Sequence, residues 1–98
     1  MAEPSPAPWD AVERGTGYRY YEIWSHAAYL ASVRQDSVGP EICRANAELI
    51  RHAPDLLELA RDLRRYITES SDTNIIGLAG RADMLVEKIT GERWPYGG

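Results

Sequence analysis

The chain has 98 residues, of which 27% are charged, and its formal net charge is −4. This length is typical of one small domain. The acidic balance argues against nonspecific binding to nucleic acid, which needs a concentrated basic surface. No apolar run reaches the roughly 18 residues that a membrane span requires. The N-terminus lacks the basic and apolar regions of a secretory signal, so we expect a cytoplasmic protein.

The first eight residues differ in composition from the rest of the chain. Three of them are prolines, and few are apolar. Such a composition is typical of a segment that packs against no core. We therefore predict a disordered leader over residues 1–8 and a single small α+β domain over residues 9–98.

A segment rich in aromatic and β-branched residues follows the leader. Its composition predicts two short strands, Tyr18–Trp24 and Ala28–Arg34, joined by a turn near Ser25–Ala27. Aromatic residues occur on both faces of the first strand, so the pattern does not show which face is buried. A helix over residues 22–33 is the alternative, because that stretch also contains fair helix formers.

Two helices meet at Pro54. The first is predicted over Pro40–His52, because proline is favourable at the first position of a helix. Pro54 cannot donate to the preceding turn, so that helix ends or kinks near His52, and a second helix is predicted over Pro54–Ser70. The apolar stripe of the first helix is Ile42, Ala45, Leu49 and Ala53.

A third helix is predicted over Asn74–Thr90, and Gly91 is placed to end it. Its apolar positions alternate by three and four residues, the spacing of packed helices; they are Ile75, Leu78, Ala82, Leu85 and Ile89. Gly77 and Gly80 weaken the helix, and we interpret them as sites of close packing. The predicted fold is α+β, a short antiparallel β-hairpin packed on about three helices; an all-α domain is the alternative.

The helix junction resembles a known sequence pattern. The runs Ala45–Ile50 and Ala53–Glu58 resemble the motif ANA-x-LI-x-x-APDLLE of a small, uncharacterised family of tailed-phage and prophage proteins. The resemblance implies a phage-derived accessory protein that acts inside a bacterial cell. It supplies no catalytic residues. Within the motif we expect structural roles for Asn46, Pro54 and Asp55.

The residues that usually carry catalysis do not form a recognisable set. Cys43 and His52 are nine residues apart on one helix, so they point to opposite faces and cannot hold one metal ion. Ser25 and His26 are adjacent, but no nucleophile elbow surrounds them, and we interpret them as turn residues. Cys43 is the single cysteine, which excludes an internal disulfide. We expect no enzymatic activity, no metal and no cofactor.

One helix face carries three arginines. Arg61, Arg64 and Arg65 lie at i, i+3 and i+4, so they share one face of the second helix. Such a face could hold a phosphate, a nucleotide or an acidic protein surface. The alternative is a solvated face on which these arginines pair with Glu58 and Asp62.

The aromatic residues near the predicted hairpin suggest a protein interface. A two-stranded hairpin cannot bury both faces against one helical layer, and exposed Tyr and Trp are enriched at interfaces. The candidate interface residues are Tyr18, Tyr20, Tyr21, Trp24 and Tyr29. The alternative is that Trp9, Trp94 and Tyr96 cover the second face of the hairpin.

These observations favour a non-enzymatic protein that binds a host or phage protein, for example as an anti-defence inhibitor in the manner of anti-CRISPR proteins. The first alternative is an oligomer that sequesters a nucleotide signal through its arginines. The second is a structural or assembly accessory of the phage. A domain of this size can fold alone, but it buries only about 60–70% of its unfolded surface, so self-association would help it and a homo-oligomer is one candidate state. We expect no membrane partner.

Overall fold

The computed structural model of the chain describes residues 3–16, 19–35, 38–92 and 94. Contacts divide these residues into two compact units. The first is Ser5–Pro54, and the second consists of the residues from Asp55 on, together with Glu3 and Pro4. The fold is α+β, as predicted. No helix among the described residues is long and apolar enough to cross a membrane.

The first unit contains a three-stranded antiparallel sheet. Its strands are β1 (Trp9–Arg14), β2 (Tyr20–Ser25) and β3 (Ala28–Arg34), and β2 lies in the centre. The two predicted strands correspond to β2 and β3, so the helix considered over residues 22–33 is wrong. The prediction of a two-stranded hairpin missed β1, which pairs with β2 along its whole length.

A two-residue loop connects β2 to β3. Ser25 pairs with Ala28, which leaves His26 and Ala27 as the loop, close to the predicted turn. His26 has a φ of +53°. Short hairpin loops need positive φ values because only these match the right-handed twist of the strands. A β-bulge between Ile23 and Trp24 shifts the register of β3 near this loop.

Helix α1 (Gly39–Arg51) packs on one face of the sheet. The core between them contains Ile23, Val33, Cys43 and Ala47, surrounded by partly buried apolar residues of the strands and of α1. Strands with β-branched residues on one face and a helix with small residues facing them can approach closely, which explains this core.

The apolar stripe predicted for α1 does not face this core. Ile42 and Leu49 are 54% and 62% exposed, whereas Cys43 and Ala47, one step around the helix, are buried. Small residues at the contact let the helix lie close to the sheet. The larger apolar side chains of α1 are on the other side of the helix, where they are exposed.

The predicted break at Pro54 is confirmed. Helix α1 ends at Arg51, the amide of His52 bonds to the Glu48 carbonyl oxygen at 3.3 Å, and α2 (Ala53–Arg64) begins with Pro54 in its first turn. Helix α2 ends before the predicted Ser70. A turn at Arg65 separates it from a single helical turn, α3 (Tyr66–Glu69).

The longest helix, α4 (Thr73–Thr90), confirms the third predicted helix. The Asp72 carboxylate caps its N-terminus by accepting from the amide of Asn74 at 2.8 Å. Gly91 caps its C-terminus with a φ of +79°, as predicted. Gly77 and Gly80 do not serve close packing, because a Cβ added at either would meet no atom within 4 Å.

The second unit has a small apolar core. The buried apolar residues of its helices are Leu57, Ala79, Ala82 and Val86. Larger apolar side chains of α2 and α4 are exposed, among them Leu59, Leu78 and Leu85. Contiguous exposed apolar surface on a small protein marks an interaction site.

Candidate functional site

The face of the sheet opposite α1 is the candidate binding surface. Alternate residues of a strand point to opposite faces, and α1 covers the face of Ala11, Ile23 and Ala31. The opposite face, here called the outer face, carries a mixture of aromatic, charged and small polar residues. It consists of Asp10, Val12, Arg14, Tyr20, Glu22, Trp24, Tyr29, Ser32 and Arg34.

A carboxylate on the central strand organises the outer face. The Arg14 Nε donates to the Glu22 Oε1 at 2.8 Å, and the Trp24 indole Nε1 donates to the same oxygen at 3.4 Å. The hydrogen bond from Arg14 lowers the pKa of Glu22 below its ordinary value, although partial desolvation opposes this shift. Glu22 is therefore ionised near neutral pH and holds two neighbouring side chains in place.

Two aromatic rings lie side by side at one end of the outer face. The ring centroids of Trp24 and Tyr29 are 5.6 Å apart with an interplanar angle of 72°, an edge-to-face arrangement. The Tyr29 hydroxyl is hydrogen-bonded to the Ser32 hydroxyl at 2.5 Å. Tyr29 is nevertheless 51% exposed, so both rings are fixed in orientation while one remains available for contact.

A groove of about 390 Å³ lies beside the Trp24 ring. It is lined by Asp10, Val12, Arg14, Trp24, His26 and Ala27. Strands β1 and β2 supply most of this lining, and the hairpin loop closes one end. An acidic, a basic and an aromatic group thus face one groove, which suits a peptide segment or side chain with both apolar and polar groups.

The structure divides the predicted interface residues between the two faces. Tyr20, Trp24 and Tyr29 lie on the outer face, whereas Tyr21 packs against the core beneath α1. Tyr18 lies outside the described residues. Tyr21 also borders a second cavity, of about 240 Å³, whose other lining residues are Glu13, Arg19, Gln35, Pro40, Glu41 and Arg44.

The three aromatic residues predicted to cover the hairpin have different surroundings, as far as the structure describes them. Trp9 packs on the α1 side of the sheet, and its indole Nε1 donates to the Ser5 carbonyl oxygen at 3.0 Å. Trp94 belongs to the second unit, where the Arg64 guanidinium lies 5.4 Å from its ring centroid. Tyr96 lies outside the described residues. Trp9 therefore does not cover the outer face.

The three arginines of α2 have different surroundings. Arg64 is only 6% exposed and bonds to the Glu92 carboxylate, with Asp83 at 3.9 Å. Glu92 has a lowered pKa, chiefly because of this hydrogen bond. Arg65 is exposed and stacks on the Tyr66 ring at 5.0 Å.

Arg61 has carboxylate partners on both sides. Its guanidinium contacts Glu58 at 2.6 Å and Glu3 at 2.7 Å, and the hydrogen bond to Glu58 raises its pKa. Arg61 and Arg64 are therefore neutralised by carboxylates within their own unit. An anion-binding role for the three arginines stays a prediction.

The structure places the residues of the sequence motif on helices α1 and α2. Asn46 is on the exposed side of α1, and Pro54 and Asp55 are in the first turn of α2. Cys43 is buried, and its Sγ lies 3.4 Å from the Val33 carbonyl oxygen. Among the described residues no group of His, Cys, Asp and Glu is arranged to hold a metal ion.

Sequence reasoning missed the β1 contribution to the outer face. Asp10, Val12 and Arg14 alternate with Trp9 and Ala11, and this alternation is the pattern of a half-buried strand. The charged residues of β1 obscured this pattern, because several charged residues in a short segment are typical of a loop. The link between Arg14 and Glu22 cannot be read from the sequence without the strand pairing.

Comparison with known proteins identifies a family. A family model described as Salmonella phage P22 protein Y8K6 matches residues 1–93 of the chain. Neither curated proteins nor solved structures give a significant match. The match confirms the phage origin implied by the resemblance, whereas it does not test the motif around Asn46. Since the family model spans nearly the whole chain, this protein belongs to the family of Salmonella phage P22 protein Y8K6.

Proposed function

We propose that this phage protein is a non-enzymatic binding protein, and that it engages a host or phage protein through the outer face of its sheet. The observation that carries the proposal is the ordered pair of Trp24 and Tyr29 on a sheet face that none of the described helices or strands of its unit covers. Aromatic residues of this kind dominate the energetics of protein interfaces.

The outer face is ordered before a partner arrives. Glu22 holds Arg14 and Trp24, and Ser32 holds Tyr29. Ordering a side chain on binding costs about 0.5–1.5 kcal/mol for each flexible group. A surface whose rings are already fixed avoids part of that cost, so it supports tight and specific binding.

The chemistry of the outer face favours binding over catalysis. A general acid or base needs a pKa near the working pH, whereas the pKa of Glu22 is lowered by its bond to Arg14. The Glu22 carboxylate already accepts hydrogen bonds from two donors, Arg14 and Trp24. A protein-binding role uses the same groups as fixed contacts and requires no proton transfer.

Photo-cross-linking tests the proposal. A photoreactive phenylalanine analogue replaces Trp24, Tyr29 or Tyr66 in three separate proteins expressed in bacteria, with and without phage infection. Tyr66 lies on α3 in the other unit and is the control position. We expect positions 24 and 29 to capture the same protein and position 66 to capture none of it. Equal capture at all three positions, or different proteins at 24 and 29, would contradict the assignment of the surface.

We further propose that the partner belongs to a host defence system. The phage origin and the small size of the chain support this finer assignment. The test compares the plating efficiency of a defence-sensitive phage on bacteria that express the wild type or a Trp24→Ala/Tyr29→Ala variant. We expect the wild type to raise plating and the variant to lose the effect. If neither protein changes plating on any defended strain, the partner lies outside defence.

A further inference from the structure

Helix α4 has two apolar faces, and its own unit uses one of them. The buried face contains Ala79, Val86 and Thr90. The other face carries the larger apolar side chains, and Leu85 on it is 55% exposed. This exposed stripe, here called the α4 stripe, consists of Ile75, Leu78, Leu85 and Ile89, and Ala82 at its edge is buried within its own unit.

Helix α1 has the same division. Cys43 and Ala47 face the sheet, and the larger apolar residues Val38, Ile42 and Leu49 are exposed. The exposed stripe, here called the α1 stripe, consists of Ile42, Ala45 and Leu49, with Val38 just before the helix and His52 just after it. Its residues also recur by three and four positions, which is the spacing of a helix–helix seam.

Opposite charges border the two stripes. Glu41 and Glu48 each precede an apolar residue of the α1 stripe by one position; Lys88 does so in the α4 stripe, and Arg81 lies seven residues before Lys88 on the same side of α4. All four side chains are exposed. In an antiparallel pair of helices these positions face each other across the seam, where their charges determine partner and orientation.

We propose that the α1 stripe of one copy packs antiparallel on the α4 stripe of a second copy. One register aligns the two stripes; within the helices it pairs Ile42 with Leu85 and Leu49 with Leu78, and at the ends it places Val38 near Ile89 and His52 near Ile75. The same register pairs Glu41 with Lys88 and Glu48 with Arg81. Ala45 lies between the two apolar pairs, where its small side chain lets the helix axes approach closely.

Charge disfavours the symmetric antiparallel alternatives. Pairing α4 with α4 in an antiparallel seam brings Arg81 and Lys88 of the two copies together, and pairing α1 with α1 brings Glu41 and Glu48 together. Like charges at such positions oppose association. Glu48 also accepts a hydrogen bond from Arg51 at 3.0 Å, but that pair is exposed, and such pairs hold a side chain only weakly.

Charge reversal on each helix tests the proposal. One variant carries Glu41→Lys and Glu48→Lys, and the other carries Arg81→Glu and Lys88→Glu. We expect sedimentation equilibrium of the wild type near 100 µM to give at least twice the 11.0 kDa of one chain. Each variant alone should associate at least tenfold more weakly. An equal mixture of the two should regain association, because each basic α1 stripe then meets an acidic α4 stripe.

The mixture distinguishes contact between copies from contact within a chain. If α1 packed on α4 of the same chain, mixing two variants could not repair either of them, and the mixture would stay at the mass of one chain. The variant Arg44→Glu, which changes an exposed charge on another side of α1, is the matched control and should associate like the wild type. A wild type at 11.0 kDa at every concentration, or reversals without effect on association, would overturn the proposal.

Discussion

Glu22 connects the stability of the sheet to the properties of the outer face. Its carboxylate accepts from Arg14 and Trp24, and its pKa is lowered from the ordinary value of 4.5, chiefly by the bond to Arg14. In the unfolded chain that bond is lost and the pKa returns to its ordinary value. The ionised carboxylate therefore stabilises the folded state, and protonation removes this contribution.

The sign of this linkage gives the pH dependence. Because the folded pKa of Glu22 is depressed, its contribution is complete above about pH 4.5 and is lost as the pH falls through the folded pKa. We predict that Glu22→Gln flattens the decline in the free energy of unfolding below pH 4.5, measured by urea denaturation across a pH series. Glu41→Gln on α1 is the control. Parallel profiles for the wild type and Glu22→Gln would contradict the role of the Arg14 bond.

His26 occupies a backbone conformation that favours glycine. Its φ of +53° destabilises the folded state of an L-residue by roughly 1–2 kcal/mol. Glycine removes that strain, but its higher conformational entropy stabilises the unfolded chain by about 0.4–1 kcal/mol. We predict that His26→Gly raises the free energy of unfolding by about 0.5–1 kcal/mol, measured by urea denaturation. His26→Ala retains the unfavourable φ and should give no gain. A destabilised His26→Gly would mean that the imidazole makes a necessary contact.

At the scale of elements, two isoleucines of the first unit have opposite environments. Ile23 on β2 is fully buried between the sheet and α1, and Ile42 on α1 is mostly exposed. We predict that Ile23→Ala lowers the free energy of unfolding by about 2–5 kcal/mol. Ile42→Ala should change it by less than about 0.5 kcal/mol in dilute protein. Equal losses in chemical denaturation would show that the sequence stripe, and not Cys43 and Ala47, faces the core.

The glycines of α4 provide a second test of packing. A Cβ at Gly77 meets open space, so Gly77→Ala should stabilise the helix by about 0.5–1 kcal/mol in thermal or urea unfolding. Gly91→Ala is the opposite control, because Gly91 has a φ of +79° that alanine adopts at a cost. If Gly77→Ala destabilised the protein, another surface would have to pack closely against α4.

The elements differ in how far the sequence predicts them. Pro40, Pro54 and Gly91 marked the helix boundaries correctly, because proline and glycine act through the local backbone. The orientation of each helix was not predictable from its apolar stripe. Helices α1 and α4 carry apolar residues on two faces, and a periodic pattern cannot show which face packs inside the chain and which remains for a partner.

At the scale of the whole molecule, the sequence predicted the α+β class and the phage origin, but only part of the candidate site. The composition of β2 and β3 indicated an aromatic surface. Which rings share a face depends on strand register, and the bulge at Trp24 sets that register next to Tyr29. The pairing of Arg14 with Glu22 depends on the register between β1 and β2, which the sequence alone does not specify.

The most direct test of the account measures the affinity of the captured partner for variants of the outer face. Trp24→Ala/Tyr29→Ala removes the two rings, and Tyr66→Ala is the matched control in the other unit. Because an interface centre of this kind contributes about 2 kcal/mol or more, we predict that isothermal titration calorimetry shows at least a thirtyfold weaker Kd for the double variant and an unchanged Kd for Tyr66→Ala. An unchanged Kd for a folded double variant would contradict the assignment of the outer face as the binding surface.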